Sequence, residues 1–260
     1  MPAQRPDHAF VILAYKDSPF LADCLRSLQA QTVRSRILIT TSTPSDYIAD
    51  VARRGGVEVK ANSEDQGIAS DWNFALRTAG ARYVTLAHQD DVYYPPFLER
   101  SLDLFARHPE GVLSFTGYRE ISDEGTPRRS KITTAKSLIK WGSIGGREEV
   151  RGLPARLFLS FGNPLPCSSV TFDMEKLGGF QFSGEFASNL DWEAWWRLRG
   201  QGCTFLHCRE PLIGRRYNDL TETSNTKRDG RRWREDVAMF RRIWPAGFGD
   251  ALALIYKAGY

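Results

Sequence analysis

Apolar and polar positions along the first half of the chain fall into two alternating periods. His8 to Ala14 (HAFVILA) is a continuous apolar run, the pattern of a strand buried on both faces. Asp17-Ser18-Pro19 then reads as a helix start, with Ser18 as N-cap and Pro19 in the first helical position. Phe20, Leu21, Cys24, Leu25 and Leu28 follow at helical spacing and give that helix one sheet-facing side. Arg36 to Thr40 is a second strand, Ser45 to Arg54 a helix closed by Gly55-Gly56, and Val57 to Ala61 a third strand. Gly67 to Ala79 is helical, and Gly80 ends it before Tyr83-Val84-Thr85-Leu86, a run of mostly β-forming residues. Pro95 to His108 is the next helix and Gly111 to Tyr118 the next strand. Strand and helix in alternation predict an α/β fold with a mostly parallel sheet and right-handed crossovers.

The second half is less regular. Residues 122–136 (SDEGTPRRSKITTAK) are polar and punctuated by Gly and Pro, as in a long functional loop, and Arg128, Arg129 and Lys131 could close it over an anionic ligand. Arg147 to Phe161 is helical but interrupted at Pro154. Cys167 to Phe172 is a strand, Leu177-Gly178-Gly179-Phe180 a turn, and Asn189 to Gly200 a helix ended by Gly. Cys203–Cys208 and Leu212–Tyr217 are two short strands. Trp233, Val237, Phe240 and Trp244 recur at helical spacing in the charged tail.

Composition changes this picture little. At 260 residues, 42% hydrophobic and 25% charged, the chain fits one large domain or one domain with an extension. No apolar run reaches the roughly 18 residues of a membrane span, and the N-terminus has no signal-peptide core, so a cytoplasmic location is expected. Cys24, Cys167, Cys203 and Cys208 match no zinc spacing and read as buried thiols. Residues 226–243 hold seven basic groups against three acids, which accounts for the whole net charge of +4. A nucleic-acid partner is not expected, because the rest of the chain carries no basic excess. This basic segment either lies on an anionic membrane surface or packs on the domain with a solvated charged face.

The strongest chemical signal is Asp90-Asp91 at the end of the Tyr83 strand. Open α/β sheets bind ligands beyond the carboxyl edge. Paired carboxylates there suit a hard divalent cation, Mg²⁺ or Mn²⁺, that also grips phosphates. The same pair could instead cap the helix that starts at Pro95. Arg215 and Arg216 end a strand, where one could bind a diphosphate and the other form a surface ion pair. His88 either contacts a ligand or simply ends its strand. Trp192, Trp195 and Trp196 are either core or a surface for sugar stacking.

Three stretches then carry a resemblance. AFVILAYKDSPFLADCLRSLQAQT, EDQGIASDWNFALRTAGARYVTLAHQDDVYYPPFLE and LGGFQFSGEFASNLDWEAWWRLRGQG occur in the order and spacing seen in the family-2 glycosyltransferases, which have the GT-A fold. The resemblance covers about residues 8–225. It implies a catalytic domain over 1–225, with a nucleotide-donor half at 8–118 and an acceptor half at 119–225. Residues 226–260 then form a C-terminal amphipathic helical extension.

The resemblance also implies an inverting, metal-assisted transfer from a nucleotide sugar, UDP- or dTDP-linked, to a glycan or lipid-linked acceptor. Asp91 would hold the cation and Asp191 would be the general base. Ala14, Tyr15, Thr41, Ser42, Asp71, Asp90 and Arg215 would contact the donor. Glu193 is the next candidate; two residues after Asp191, it points about 200° away on a helix, so the two cannot both face the site. The family's second strand commonly ends in an aspartate that holds the nucleotide base; here Ile39-Thr40-Thr41-Ser42-Thr43-Pro44 has no carboxylate. That departure favours two rivals: a non-catalytic binding module on the same fold, or a different donor. A sugar nucleotidyltransferase fits less well, because Ala14-Tyr15-Lys16-Asp17 is not a Gly-rich basic loop.

Overall fold

The computed structural model describes residues 7–64, 67–128, 142–216 and 230–257. Ten strands form one sheet: β1 (His8–Ala14), β2 (Arg36–Thr41), β3 (Glu58–Ala61), β4 (Tyr83–His88), β5 (Val92–Tyr93), β6 (Gly111–Ile121), β7 (Pro127–Arg128), β8 (Glu149–Val150), β9 (Val170–Asp173) and β10 (Thr204–Arg216). The main order is β3-β2-β1-β4-β9-β6-β10-β5. The helices are α1 (Leu21–Gln29), α2 (Asp46–Gly55), α3 (Ile68–Thr78), α4 (Phe97–Arg107), α5 (Gly152–Ser160), α6 (Met174–Leu177), α7 (Leu190–Gly200), α8 (Arg231–Ile243) and α9 (Ala246–Lys257).

The sheet is parallel through β3-β2-β1-β4 and again between β6 and β10. β9 enters antiparallel between β4 and β6 and joins the two parts. Alternate residues of β1 feed opposite cores. Phe10 and Ile12 pack with Leu25, Ile48 and Phe97 of α1, α2 and α4, while Ala9 and Val11 join the cluster of Leu76, Phe158, Trp195 and Phe240 from α3, α5, α7 and α8. Each fully buried aromatic or Leu/Ile contributes about 1.5–3 kcal/mol relative to an exposed one.

Several local expectations change in the folded chain. Helix α1 starts at Leu21 after Phe20, with no side-chain cap; Ser18 and Pro19 form the turn ahead of it, where the Leu21 amide donates to the Ser18 carbonyl. Ser45 does cap α2, accepting from the Ile48 amide, and Gly56 ends that helix in the left-handed region at φ 65°. The two strands expected at 203–208 and 212–217 are one, β10, whose register on β6 shifts around Pro211. Pro154 breaks nothing, because it falls in the first turn of α5, where its missing N–H has no partner to lose. Of the expected 122–136 loop, residues up to Arg128 turn back onto β6; Arg129 and Lys131 lie outside the described residues.

The tryptophans of α7 are core. Trp192 and Trp195 are fully buried, and their ring N–H groups donate to the carbonyls of Leu159 and Leu165 at 2.9 and 3.0 Å. They offer no face to a sugar. Trp196 carries the Arg199 guanidinium over its ring at 4.0 Å.

The charged tail turns its apolar side inward too: Met239 and Phe240 of α8 are buried in the core, with Trp233, Val237 and Trp244 packed against it. The basic helix is therefore anchored on the domain. Helix α9 differs, leaving Phe248, Leu254 and Ile255 exposed. No helix among the described residues is long and apolar enough to cross a membrane.

Candidate active site

The carboxyl ends of β1, β2 and β4 open side by side on one edge of the sheet. Parallel strands of similar length, each followed by a tight turn, place those turns together. Tyr15 is half exposed there. Its amide donates to Gln89 Oε1 at 3.1 Å, and Gln89 Nε2 donates back to its carbonyl at 2.9 Å, so one side chain ties the end of β1 to the end of β4. Lys16 has φ 55°, the sole positive φ among described non-glycine residues, and its amide donates to Thr43 Oγ1 at 2.6 Å. A non-glycine residue held in this region marks a turn shaped by its surroundings.

The end of β2 resolves the missing acid. Ser42 Oγ donates to Asp71 Oδ2 at 2.8 Å, and Asn62 Nδ2 donates to Asp71 Oδ1 at 2.8 Å. Asp71 comes from the first turn of α3, so a carboxylate stands beside the end of β2 although that strand carries none. Thr41 and Ser42 lead into this cluster, with Ala14 buried at the end of the neighbouring β1.

Asp90 and Asp91 do not cap a helix. The short strand β5 follows them, pairing with Ile213 and Gly214 of β10, and α4 begins later at Phe97 without a side-chain cap. Asp91 is 2% exposed. Its Oδ1 accepts from the Arg216 amide at 3.1 Å, while Oδ2 is buried without a well-formed hydrogen bond, with the buried Ser168 hydroxyl beside the carboxylate. Burial and the neighbouring Asp90 hold the Asp91 carboxyl above the usual carboxylate range, against the opposing pull of Arg215. Asp90 is raised as well, chiefly by burial.

Arg215 points its charge at this cluster. Burial works against its cation, but Tyr118, Asp91, Asp191 and Asp90 outweigh that and hold it above its ordinary value. Arg216 does form an ion pair, with the partly exposed Asp23 at 3.8 Å, but from a buried position. Its guanidinium donates to the Asp90, Ser122 and Asp123 carbonyls, and it lies over the Phe20 ring at 4.2 Å. Its role is to fix the backbone that carries the acids. His88 is a wall residue: its ring lies 5.3 Å from that of Trp72, and burial with nearby Arg215 lowers its pKa to about 4, so it is neutral at pH 7.

Asp191 faces the same space from the first turn of α7. Its Oδ1 accepts from the Trp192 amide at 2.8 Å. Burial raises its pKa, opposed by Arg232, Asn163, the Trp192 amide and Arg215. A carboxylate raised in this way is a better proton acceptor than a solvated one. Glu193 turns elsewhere, into ion pairs with Arg197 and Arg242.

Arg215 thus lies within electrostatic reach of Asp90, Asp91 and Asp191, while Tyr15, Ser42 and Asp71 stand at the neighbouring strand ends. Gln89, Asn62 and Arg232 are the residues that sequence reasoning missed. Gln89 adjoins the acids, the one signal that could have drawn attention to it.

A divalent cation fits this donor set. Asp91 Oδ2 is an orphaned buried oxygen next to a second carboxylate, and Mg²⁺ commonly takes just one or two carboxylates with substrate phosphates completing its shell. Among the described residues no group of three or more His, Cys, Asp or Glu forms a self-sufficient metal cage. Tyr217 and Asn218, which follow Arg216 in the chain, lie outside the described residues.

Comparison with known proteins accords with this geometry. The chain is 23% identical over 227 residues to the putative teichuronic acid biosynthesis glycosyltransferase TuaG of Bacillus subtilis, covering 85% of this chain and 83% of TuaG. Residues 1–349 of S. aureus TarS, solved with UDP-GlcNAc, match with TM-score 0.66 and 14% identity, over 96% of this chain and 71% of that one. Full-length TarS is spanned to 42% of its length. The Pyrobaculum calidifontis mannosyltransferase PcManGT, solved with GDP-Man and Mn²⁺, matches with TM-score 0.64 and 15% identity, over 98% of this chain and 70% of that one. These structures share the GT-A arrangement of a central sheet flanked by helices. The model for glycosyl transferase family 2 matches residues 9–164, more than half of the sequence, and the chain belongs to that family.

Proposed function

We propose that the protein transfers a glycosyl group from a nucleoside-diphosphate sugar to a hydroxyl of a glycan or lipid-linked acceptor, inverting the anomeric centre. The observation that carries this reading is the orphaned Asp91 Oδ2 with Arg215 reaching towards both Asp91 and Asp191. Asp191 accepts the acceptor's O–H proton, the acceptor oxygen bonds to the anomeric carbon, and the bond from that carbon to the diphosphate oxygen breaks. Arg215 faces the negative charge that builds on the leaving diphosphate. A cation held by Asp91, with Asp90 beside it, would supply Lewis-acid neutralisation of that charge.

Asp71 and Ser42 support a donor base with an imide N–H, as in uracil or thymine. The Asp71 carboxylate can accept a further hydrogen bond beside those from Ser42 and Asn62. The relation to TuaG, which is named for teichuronic acid biosynthesis, supports an acceptor in surface-polysaccharide assembly.

A thermal-shift series with UDP, dTDP, GDP and ADP, each with Mn²⁺, tests the reading. UDP or dTDP should raise the melting temperature most, and the matching sugar nucleotide should be hydrolysed slowly without acceptor. A protein that binds a nucleotide but never hydrolyses a donor is the non-catalytic module instead. Any membrane approach would run through the exposed face of α9. Ile255→Glu should weaken co-sedimentation with anionic vesicles, and equal sedimentation of variant and parent excludes α9 from such contact.

A further inference from the structure

The turn that leads into the carboxylate assigned as base is held by helix α8, through contacts that involve no residue of the donor site. Helix α7 starts at Leu190, and its N-cap Asn189 makes no side-chain capping bond. The turn before it is capped from outside. Glu235 of α8 accepts from the Ala187 amide through Oε1 at 2.9 Å, and through Oε2 from the amides of Ser188 and Asn189 at 2.8 and 3.0 Å. The Ser188 hydroxyl donates to the same oxygen at 2.7 Å. One carboxylate therefore takes up three backbone donors at the positive end of α7.

Two neighbours complete the contact. Asn189 Nδ2 donates to Asp236 Oδ1 at 2.8 Å. Arg232 Nη1 donates to the Ser188 carbonyl at 3.0 Å, and its Nε lies 3.3 Å from Asp236 Oδ1. The Arg232 side chain is only 12% exposed. Its charge faces the carboxylates of Asp236 and Asp191, and the Tyr256 hydroxyl of α9 hydrogen-bonds it.

We infer that α8 is a positioning element of the transfer reaction: Glu235 caps the turn that leads into Asp191, and Arg232, hydrogen-bonded to the same turn, places a positive charge beside it. The inference rests on Asp191 being that base. The groups facing Asp191 are Arg232 from α8, Arg215 from β10, and Asn163 and Cys167 from the segment ahead of β9. Arg215 also serves the donor acids, whereas Arg232 answers to Asp236 and the α7 turn. Loss of Arg232 should therefore alter proton acceptance without altering donor binding. The seven basic residues that read as a surface patch in the sequence thus include at least one that acts inward.

The test uses the full chain with Arg232→Met, Arg232→Gln and Arg232→Lys, each measured for melting temperature, donor KM, kcat and the pH dependence of kcat. In the neutral variants kcat on the acid side of the profile should fall by up to about tenfold, with donor KM nearly unchanged. The acid limb of the kcat profile should move up by about one pH unit, because an opposite charge lowers a carboxylate pKa by that order and its removal reverses the effect. Lysine should bring the limb back towards its original position and recover most of the lost kcat. An unmoved limb in either folded neutral variant overturns the inference, as does an equal loss in Arg232→Lys. Failure of both neutral variants to fold overturns it too, since Arg232 would then serve folding alone. Asp191→Asn separates the layers: if it stays active, the base assignment itself fails, and if it is inactive while the limb stays put, only the role of α8 fails.

Discussion

Replacing Asp91 by Asn should lower transfer by about 10³-fold or more and remove the metal dependence of donor binding. The size follows from the geometry. Asn keeps an oxygen for the Arg216 amide, so the local backbone should hold, but it removes the orphaned charge that a cation needs. Stability should move the other way. In the absence of metal the variant should be at least as stable as the parent, because the substitution deletes a buried carboxylate disfavoured by burial and by Asp90. The two readouts are isothermal titration of the nucleoside diphosphate with and without Mn²⁺, and urea unfolding without metal. Full transfer activity in Asp91→Asn would remove the metal assignment. A stability loss beyond about 1 kcal/mol would make Asp91 a structural residue.

Asp191→Asn should separate binding from chemistry. Donor affinity should stay within about twofold, since Ser42, Asp71, Arg215 and the Asp90-Asp91 pair are untouched, whereas kcat should fall by about 10²–10⁴-fold, the usual range for a lost general base. Asn can still accept from the Trp192 amide through its carbonyl oxygen, so the start of α7 should survive. Slow donor hydrolysis by water is the informative control. A variant that fails in both binding and transfer would point to collapse of the α7 turn, and one that turns over normally would hand the base role to another group.

The first half of the chain was legible in the sequence because its elements are self-contained. A seven-residue apolar strand, a Ser-capped helix closed by Gly-Gly and a strand ending in two acids each carry their own local signal. What escaped depended on partners distant in the chain. Nothing in Val170–Asp173 says that it will run antiparallel between β4 and β6. The cap reading of Asp90-Asp91 failed because Val92-Tyr93 pairs with β10 before any helix can begin. The absent acid at the end of β2 looked like a defect until folding brought Asp71 from α3 to within hydrogen-bonding distance of Ser42, twenty-nine positions away. Arg232 was hidden by its composition: in a segment dense with arginines each one reads as solvated, and arginine is rarely buried without a partner.

The cap on α7 also bears on how the protein is made. Glu235 lies 46 to 48 positions after the amides it receives. On the ribosome, β1 to α4 and the nucleotide-lined edge can assemble while α8 has yet to emerge, since domains fold from the N-terminal side as synthesis proceeds. The nascent chain would thus expose Asp191 before it had made the helix that caps the turn ahead of it.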